Sequence, residues 1–417
     1  MNSLREQIQK TKEAALALSQ LSSEDKNKIL QRIAVMLATN SASIIAENRK
    51  DVAAARQTDL SDVMLKRLTL TEQDLQGICQ DIEEMSLLPD PVGEVLDTSH
   101  RPNGLKIEKV RVPLGTVLVI YESRPNVTVD VATLSLKCGN ACVLKGGSEA
   151  INTNRLLAKL LREAIHDTLH DKLDPNVVTF IDSTDHKVTD ALLTMHDLID
   201  VVIPRGSSRL INYVVNHATI PVIETGAGNC HLYVEQSADL QMALAIALNA
   251  KVSKPAVCNS IETLLVDEAV AEPFLTALAL TFEQHQVEIR GCEQTRAIIP
   301  AAKAATDEDY ATEYNDLIIA VAIVKDYKAA IRHINRYSTK HSETIVSTNQ
   351  AIIDEFLSAV NSACCYVNAS TRFTDGGCFG FGAEFGISTG MLHARGPMGL
   401  KELTSYKYKI YGTGQIR

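Results

Sequence analysis

At 417 residues the chain is too long for one compact core and points to two or three domains. Its 45% hydrophobic and 22% charged residues are ordinary for a globular protein. A formal net charge of −10 without a basic stripe argues against nucleic acid or an anionic membrane as partner, though not against an acidic substrate met by local cations.

The opening 20 residues lack an uninterrupted apolar stretch and do not read as a signal peptide. The longest apolar run, residues 317–324, is far too short for a bilayer, and a cytoplasmic protein is expected. Nine cysteines (79, 138, 142, 230, 258, 292, 364, 365 and 378) are scattered, with no CxxC pair and no zinc spacing. Thiols in a reducing compartment fit, and a small buried hydrophobe is the default reading of each.

The first ~80 residues read as helical, with Ser22 and Asp25 resembling a capping box. Ile29, Leu30, Ile33, Met36 and Leu37 follow at helical spacing. Residues 94–113 alternate apolar and polar around Pro102-Asn103-Gly104, a hairpin more polar than a core strand and suited to a protruding arm. Apolar strands at 116–123, 141–147, 176–182, 200–206 and 220–226 then alternate with helices at 127–138, after 149, after 185 and at 208–217. That alternation implies a parallel sheet covered on both faces, a doubly wound α/β domain with the dinucleotide-binding architecture as leading candidate. No GxGxxG occurs, and "KGGSEA" is only a weak phosphate-turn signal.

A second alternation begins at Cys258, with strands at 260–267, 317–324, 342–348 and 364–370 and helices at 272–287, 328–337 and 350–361. Residues 1–93 and 114–252 are thus read as a dinucleotide-binding domain and 253–400 as a catalytic domain. Residues 94–113 and 401–417 are read as a β arm, the tail "YKYKIYGTGQI" pairing with this hairpin or a neighbour's. Cys258 falls at the join between domains, where clefts usually form.

The segments "VPLGTVLVIYESRPNVTVD", "PRGSSRLI", "VIETGAGNCHLYV", "VCNSIETLLV", "YVNASTRFTDGG" and "LHARGPMGL" together resemble the aldehyde dehydrogenase superfamily, from about Leu18 to the end. The resemblance implies an aldehyde dehydrogenase-like α/β fold: two doubly wound domains and a small β oligomerisation arm. It points to the branch that reduces L-glutamyl 5-phosphate to L-glutamate 5-semialdehyde and phosphate with NADPH, the second step from glutamate to proline. No metal is implied. The chain is expected to be a homo-oligomer, and the resemblance allows association with glutamate 5-kinase.

By the same resemblance, Cys258 is the nucleophile, since a thiolate is the competent form. Asn126 and the Cys258 backbone N–H form the oxyanion hole, although an asparagine there also suits a helix cap. Glu224 matches the base of hydrolytic relatives, a base that an acyl-phosphate reductase does not need. A nicotinamide contact, proton transfer or a plain strand-ending carboxylate are its other readings. Lys145, Ser148, Gly206, Ser207 and Glu313 match cofactor-contacting positions. Ser148 in place of an acid favours NADP, while the neighbouring Glu149 would reverse that if the register moved by one. Arg124, Lys254, Asn368, Ser370, Arg372, His393 and Arg395 are candidates for the doubly anionic substrate, each otherwise a solvated or structural side chain. Two alternatives remain: a hydrolytic aldehyde dehydrogenase using Glu224, and a non-catalytic dinucleotide- or partner-binding scaffold.

Overall fold

The Ser22 hydroxyl accepts the Asp25 backbone N–H and starts helix Ser23–Thr39, whose Ile29, Leu30, Ile33 and Leu37 are buried. A Thr71–Asp74 capping box starts Glu72–Leu87 in the same way. The computed structural model describes residues 2–58, 60, 62–382 and 384–417, so Ala383 of the glycine-rich segment lies outside the described residues. The chain divides into two compact units.

The first unit takes residues up to Thr225, with Gly380–Gly386 and Met398–Arg417. Helices from Asn2 to Leu87 precede the hairpin, in which β1 (Val95–His100) pairs antiparallel with β2 (Lys106–Pro113). The C-terminal strand Thr404–Tyr411 adds to β2 of this same hairpin and makes a three-stranded sheet. Strands β3 (Thr116–Tyr121), β4 (Ala141–Gly146), β5 (Val178–Phe180) and β6 (Val201–Arg205) form a parallel sheet in the order β5-β4-β3-β6. Every residue of β3 and β4 is buried, as a sheet covered on both faces requires. The order reverses between β3 and β6, and a ligand crevice is expected at the carboxyl ends of those two strands.

The strand expected at 220–226 does not form. Pro221 has no N–H to give and glycines follow at 226 and 228, so in place of a strand the segment keeps isolated bridge residues at Val222, paired with Val202, and at Thr225.

The second unit comprises Gly226–Phe379 and Ile387–Pro397. Its sheet is parallel throughout, built from β7 (Cys230–Val234), β8 (Ile261–Asp267), β9 (Glu288–Gly291), β10 (Lys303–Ala304), β11 (Ile318–Val324), β12 (Ser342–Val346) and β13 (Cys364–Val367). The order is β10-β9-β11-β8-β7-β12-β13. The boundary thus falls at 225/226 rather than 252/253, because β7 hydrogen-bonds to β8 and β12 and carries helix Leu240–Val252 with it. Cys258 belongs to the second unit's stretch of chain, Gly226–Phe379. No single helix among the described residues is long and apolar enough to cross a membrane.

Candidate active site

In the second unit, Cys258 sits in the loop between helix Leu240–Val252 and β8, at the amino ends of β7 and β8. It is half-buried and in no disulfide. The loop is braced on several sides. Ser260 Oγ donates to the Ala250 carbonyl (3.0 Å), Asn259 Nδ2 to the Thr374 carbonyl (2.9 Å), and Thr371 Oγ1 to the Asn259 carbonyl (2.7 Å). Gly228 runs against the Cys258 backbone, and its N–H donates to Glu313 Oε1 at 2.7 Å. Glu313 is therefore not a solvated loop carboxylate, since it orders the chain that packs on Cys258.

Behind the loop, Cys230 Sγ donates to the Cys258 carbonyl oxygen (3.1 Å) and lies 3.6 Å from His341 Nδ1. Burial pushes the Cys230 thiol well up and the His341 imidazole down to about 4. Both stay neutral, so His341 is not an imidazolium partner of the kind that activates cysteine in other enzymes. Arg372 reaches the loop instead, its Nε donating to Ser253 Oγ at 3.2 Å, and Lys254 is exposed four residues before Cys258. Beneath them Lys251 and Glu262 form a fully buried ion pair of 2.6 Å. Burial lowers the lysine and raises the glutamate, each countered by its partner's charge.

Other expected substrate residues fall elsewhere. Asn368, in the left-handed region at φ 53°, locks onto Ser347: its Oδ1 accepts the Ser347 N–H and its Nδ2 donates to the Ser347 carbonyl, both at 3.0 Å. Ser347 follows β12, so Asn368 lies at the carboxyl edge of the sheet while Cys258 lies at the amino edge. Ser370 is buried and its Oγ accepts the Arg372 N–H, capping the turn that carries Arg372. Arg395 is held by Asn361 through Nη1 to Oδ1 (2.9 Å) and Nη2 to the carbonyl (2.8 Å). His393 is exposed, with φ 69°.

In the first unit, charged side chains gather at the carboxyl ends of β3 and β6. Arg124 is half-buried at the end of β3. Asn126 opens helix Asn126–Lys137 but does not cap it: Pro125 is the cap residue, and Asn126 Nδ2 donates to Asp130 Oδ2 at 2.9 Å. Asp130 is pushed up to about 6 by burial, against the Asn126 hydrogen bond and the Arg205 charge. Glu224 is half-buried and makes no side-chain hydrogen bond or ion pair among the described residues.

A nicotinamide dinucleotide needs anion donors at the carboxyl ends of these strands, and they are present. The Ser207 N–H, at the start of helix Ser208–His217, donates to the Glu122 carboxylate (2.8 Å), and a β-carbon at Gly206 would stand 2.5 Å from that carboxylate. The helix start thus already accommodates an anionic oxygen, that of the Glu122 carboxylate. Lys145 is 7% exposed at the end of β4, lowered by burial with the Glu149 charge opposing. Ser148 is exposed, whereas Glu149 turns towards β3 and accepts from the Ser123 N–H and, at 2.7 Å, its Oγ.

Residues that sequence reasoning missed are mostly partners of those it found. Gly228 was visible only as one glycine of "ETGAGN", and Asp130 only as an acid one helical turn after Asn126.

A family model described as the aldehyde dehydrogenase family matches residues 2–314. A gamma-glutamyl phosphate reductase of Carboxydothermus hydrogenoformans is 53% identical over 408 residues, 98% of each chain. Its namesake from Dictyoglomus thermophilum is 50% identical over 417 residues, 100% of both. A crystal structure of gamma-glutamyl phosphate reductase from Thermotoga maritima is 45% identical and superposes with a TM-score of 0.96 over 99% of either chain.

Proposed function

The chain belongs to the aldehyde dehydrogenase family, and on that premise we propose that it reduces L-glutamyl 5-phosphate to L-glutamate 5-semialdehyde and phosphate in the synthesis of proline. The observation that carries this is full-length identity near one half to gamma-glutamyl phosphate reductases, without a missing or added domain in the match.

The Cys258 thiolate attacks the acyl carbon and the carbonyl electrons move to oxygen. The Asn126 carboxamide donates to that oxyanion, and phosphate leaves with the C–O bonding pair, giving a thioester on Cys258. A nicotinamide dinucleotide, taken as NADPH and held by Lys145, Ser148, Gly206 and Ser207, would supply the hydride for the thioester carbon. The C–S bond of the resulting thiohemiacetal then breaks, and Cys258 departs as thiolate with the aldehyde released. Lys254 and Arg372, both in or beside the nucleophile loop, favour the thiolate and meet the substrate's anionic groups. Arg124 adds a cation on the other unit. Lys145, Ser148, Gly206 and Ser207 hold the cofactor, and the exposed Ser148 with the inward-drawn Glu149 supports a 2′-phosphate there. Asn368 is tied to Ser347 and Arg395 to Asn361, yet each keeps a donor for the substrate: the second amide N–H of Asn368, and the Arg395 Nε, which is buried without a partner among the described residues. A cytoplasmic homo-oligomer built through the β arm, with glutamate 5-kinase as a transient partner, completes the reading.

The test runs the reaction backwards, from glutamate semialdehyde and NADP⁺, with and without phosphate. Phosphate-dependent cofactor reduction that disappears in Cys258→Ala is expected. Equal turnover without phosphate would overturn the reading and make water, activated by Glu224, the deacylating nucleophile.

A further inference from the structure

We propose that Asp130 is a positioning residue that fixes the orientation of the Asn126 carboxamide for the oxyanion, an inference that rests on the acyl-transfer function above. Asn126 and Asp130 stand one turn apart on helix Asn126–Lys137, so their side chains share a face. A carboxylate offers only acceptors, and Asp130 Oδ2 at 2.9 Å therefore demands the amide nitrogen rather than the amide oxygen. An Asn amide has two N–H groups. With one committed to Asp130, the other is the sole donor left, and it carries no hydrogen bond among the described residues. The flipped amide would present its oxygen to the developing oxyanion and repel it. Asp130 excludes that flip for as long as it is ionised.

The helix itself does not supply this control. Pro125 takes the cap position without a side-chain hydrogen bond, and among the described residues Asp130, one turn on, is what holds the Asn126 side chain. The charges that face Asp130 are Arg205 at the end of β6, Arg124 in the turn before the helix, and Asp81 on helix Glu72–Leu87. The two guanidinium groups favour its ionised form, while Asp81 and burial oppose it. With the proton binding near pH 6, the acceptor becomes a donor as pH falls, and the flipped amide gains a partner.

The experiment measures kcat and KM for the reverse reaction between pH 5 and 8 in the wild type, Asp130→Ala, Asp130→Asn, Asn126→Ala and the Asp130→Ala/Asn126→Ala pair. Asn126→Ala is expected to lower kcat about 10²-fold with KM nearly unchanged, as loss of an oxyanion donor does. Asp130→Ala should lower kcat with KM likewise unchanged, and the double variant should be no worse than Asn126→Ala alone. Asp130→Asn keeps the packing but pairs with either amide orientation, so it should lose the acidic limb near pH 6 and sit between wild type and Asp130→Ala. Losses that multiply in the double variant would show Asp130 acting independently and overturn the inference, as would an unchanged kcat in Asp130→Ala. An unchanged kcat in Asn126→Ala would instead remove the oxyanion reading on which the inference stands. Because Asp130→Asn is nearly isosteric, it carries the test if the alanine variant does not fold.

Discussion

A β-carbon placed on Gly228 would fall 1.5 Å from the carbonyl oxygen of Cys258 and 2.5 Å from its Cα. Neither contact can be relieved by a side-chain rotation, since both partners are backbone. Gly228→Ala must therefore push the Cys258 loop away or open the start of β7. We expect kcat to fall by about 10² or more, because misplacements of an ångström carry such costs. A melting temperature lowered by several degrees should accompany the loss. Steady-state kinetics with a thermal melt on the same sample checks both.

Glu224 invites a subtler comparison. If phosphate is the leaving group and no water must be activated, Glu224→Gln should keep phosphate-dependent turnover within about threefold of wild type. Any slow phosphate-independent oxidation should decline in the same variant. A kcat loss of about 10³, typical of removing an essential base, would move Glu224 into the chemistry.

The Lys251–Glu262 pair, which brackets the Cys258 loop in sequence, has both side chains wholly buried. Removing one partner strands the other charge in the interior, so Lys251→Met should destabilise the fold by about 3–5 kcal/mol in urea unfolding. Lys251→Met/Glu262→Leu should recover most of that, because two apolar side chains leave no uncompensated charge. If the double variant proves as unstable as the single one, the hydrogen bond that Glu262 Oε1 accepts from the Asn315 N–H (3.3 Å) matters more than the pairing.

Cofactor choice can be read through binding alone. Ser148 is exposed at the end of β4 while Glu149 is drawn onto Ser123. Ser148→Glu should weaken NADP⁺ about tenfold or more while leaving NAD⁺ within about threefold, since a new carboxylate repels a 2′-phosphate and can bind a ribose diol. Isothermal titration with each dinucleotide measures the two affinities directly. Equal effects on both would place the 2′-phosphate elsewhere.

The strong periodic elements were legible because burial imposes a rhythm on them. Helix Ser208–His217 was read to the residue, and β8 and β11 stood out as apolar runs. What escaped lacked any rhythm: β9 and β10 have four and two residues, too few for a pattern. The segment at 220–226 misled because its composition is that of a strand while Pro221 withholds the ladder donor. At the site, motif positions brought Cys258 and Asn126 forward, but not what holds them. Gly228 and Asp130 act through contacts that depend on how the chain folds back, and a motif does not encode them. Asn368 was brought forward by its motif too, which gave no sign of the two hydrogen bonds that tie its amide to Ser347.

The first unit is assembled from three stretches of chain, and the last of them, Met398–Arg417, contains the strand that completes the β1–β2 hairpin. Between that hairpin and its third strand comes every residue of the second unit. At a synthesis rate of about 5–20 residues per second, β2 waits tens of seconds with one edge unpaired. The interval makes this edge the natural point of attack for premature association during synthesis. It also makes closure of the arm the final, long-range step of folding, one that comes only after the unit carrying Cys258 has all of its own chain.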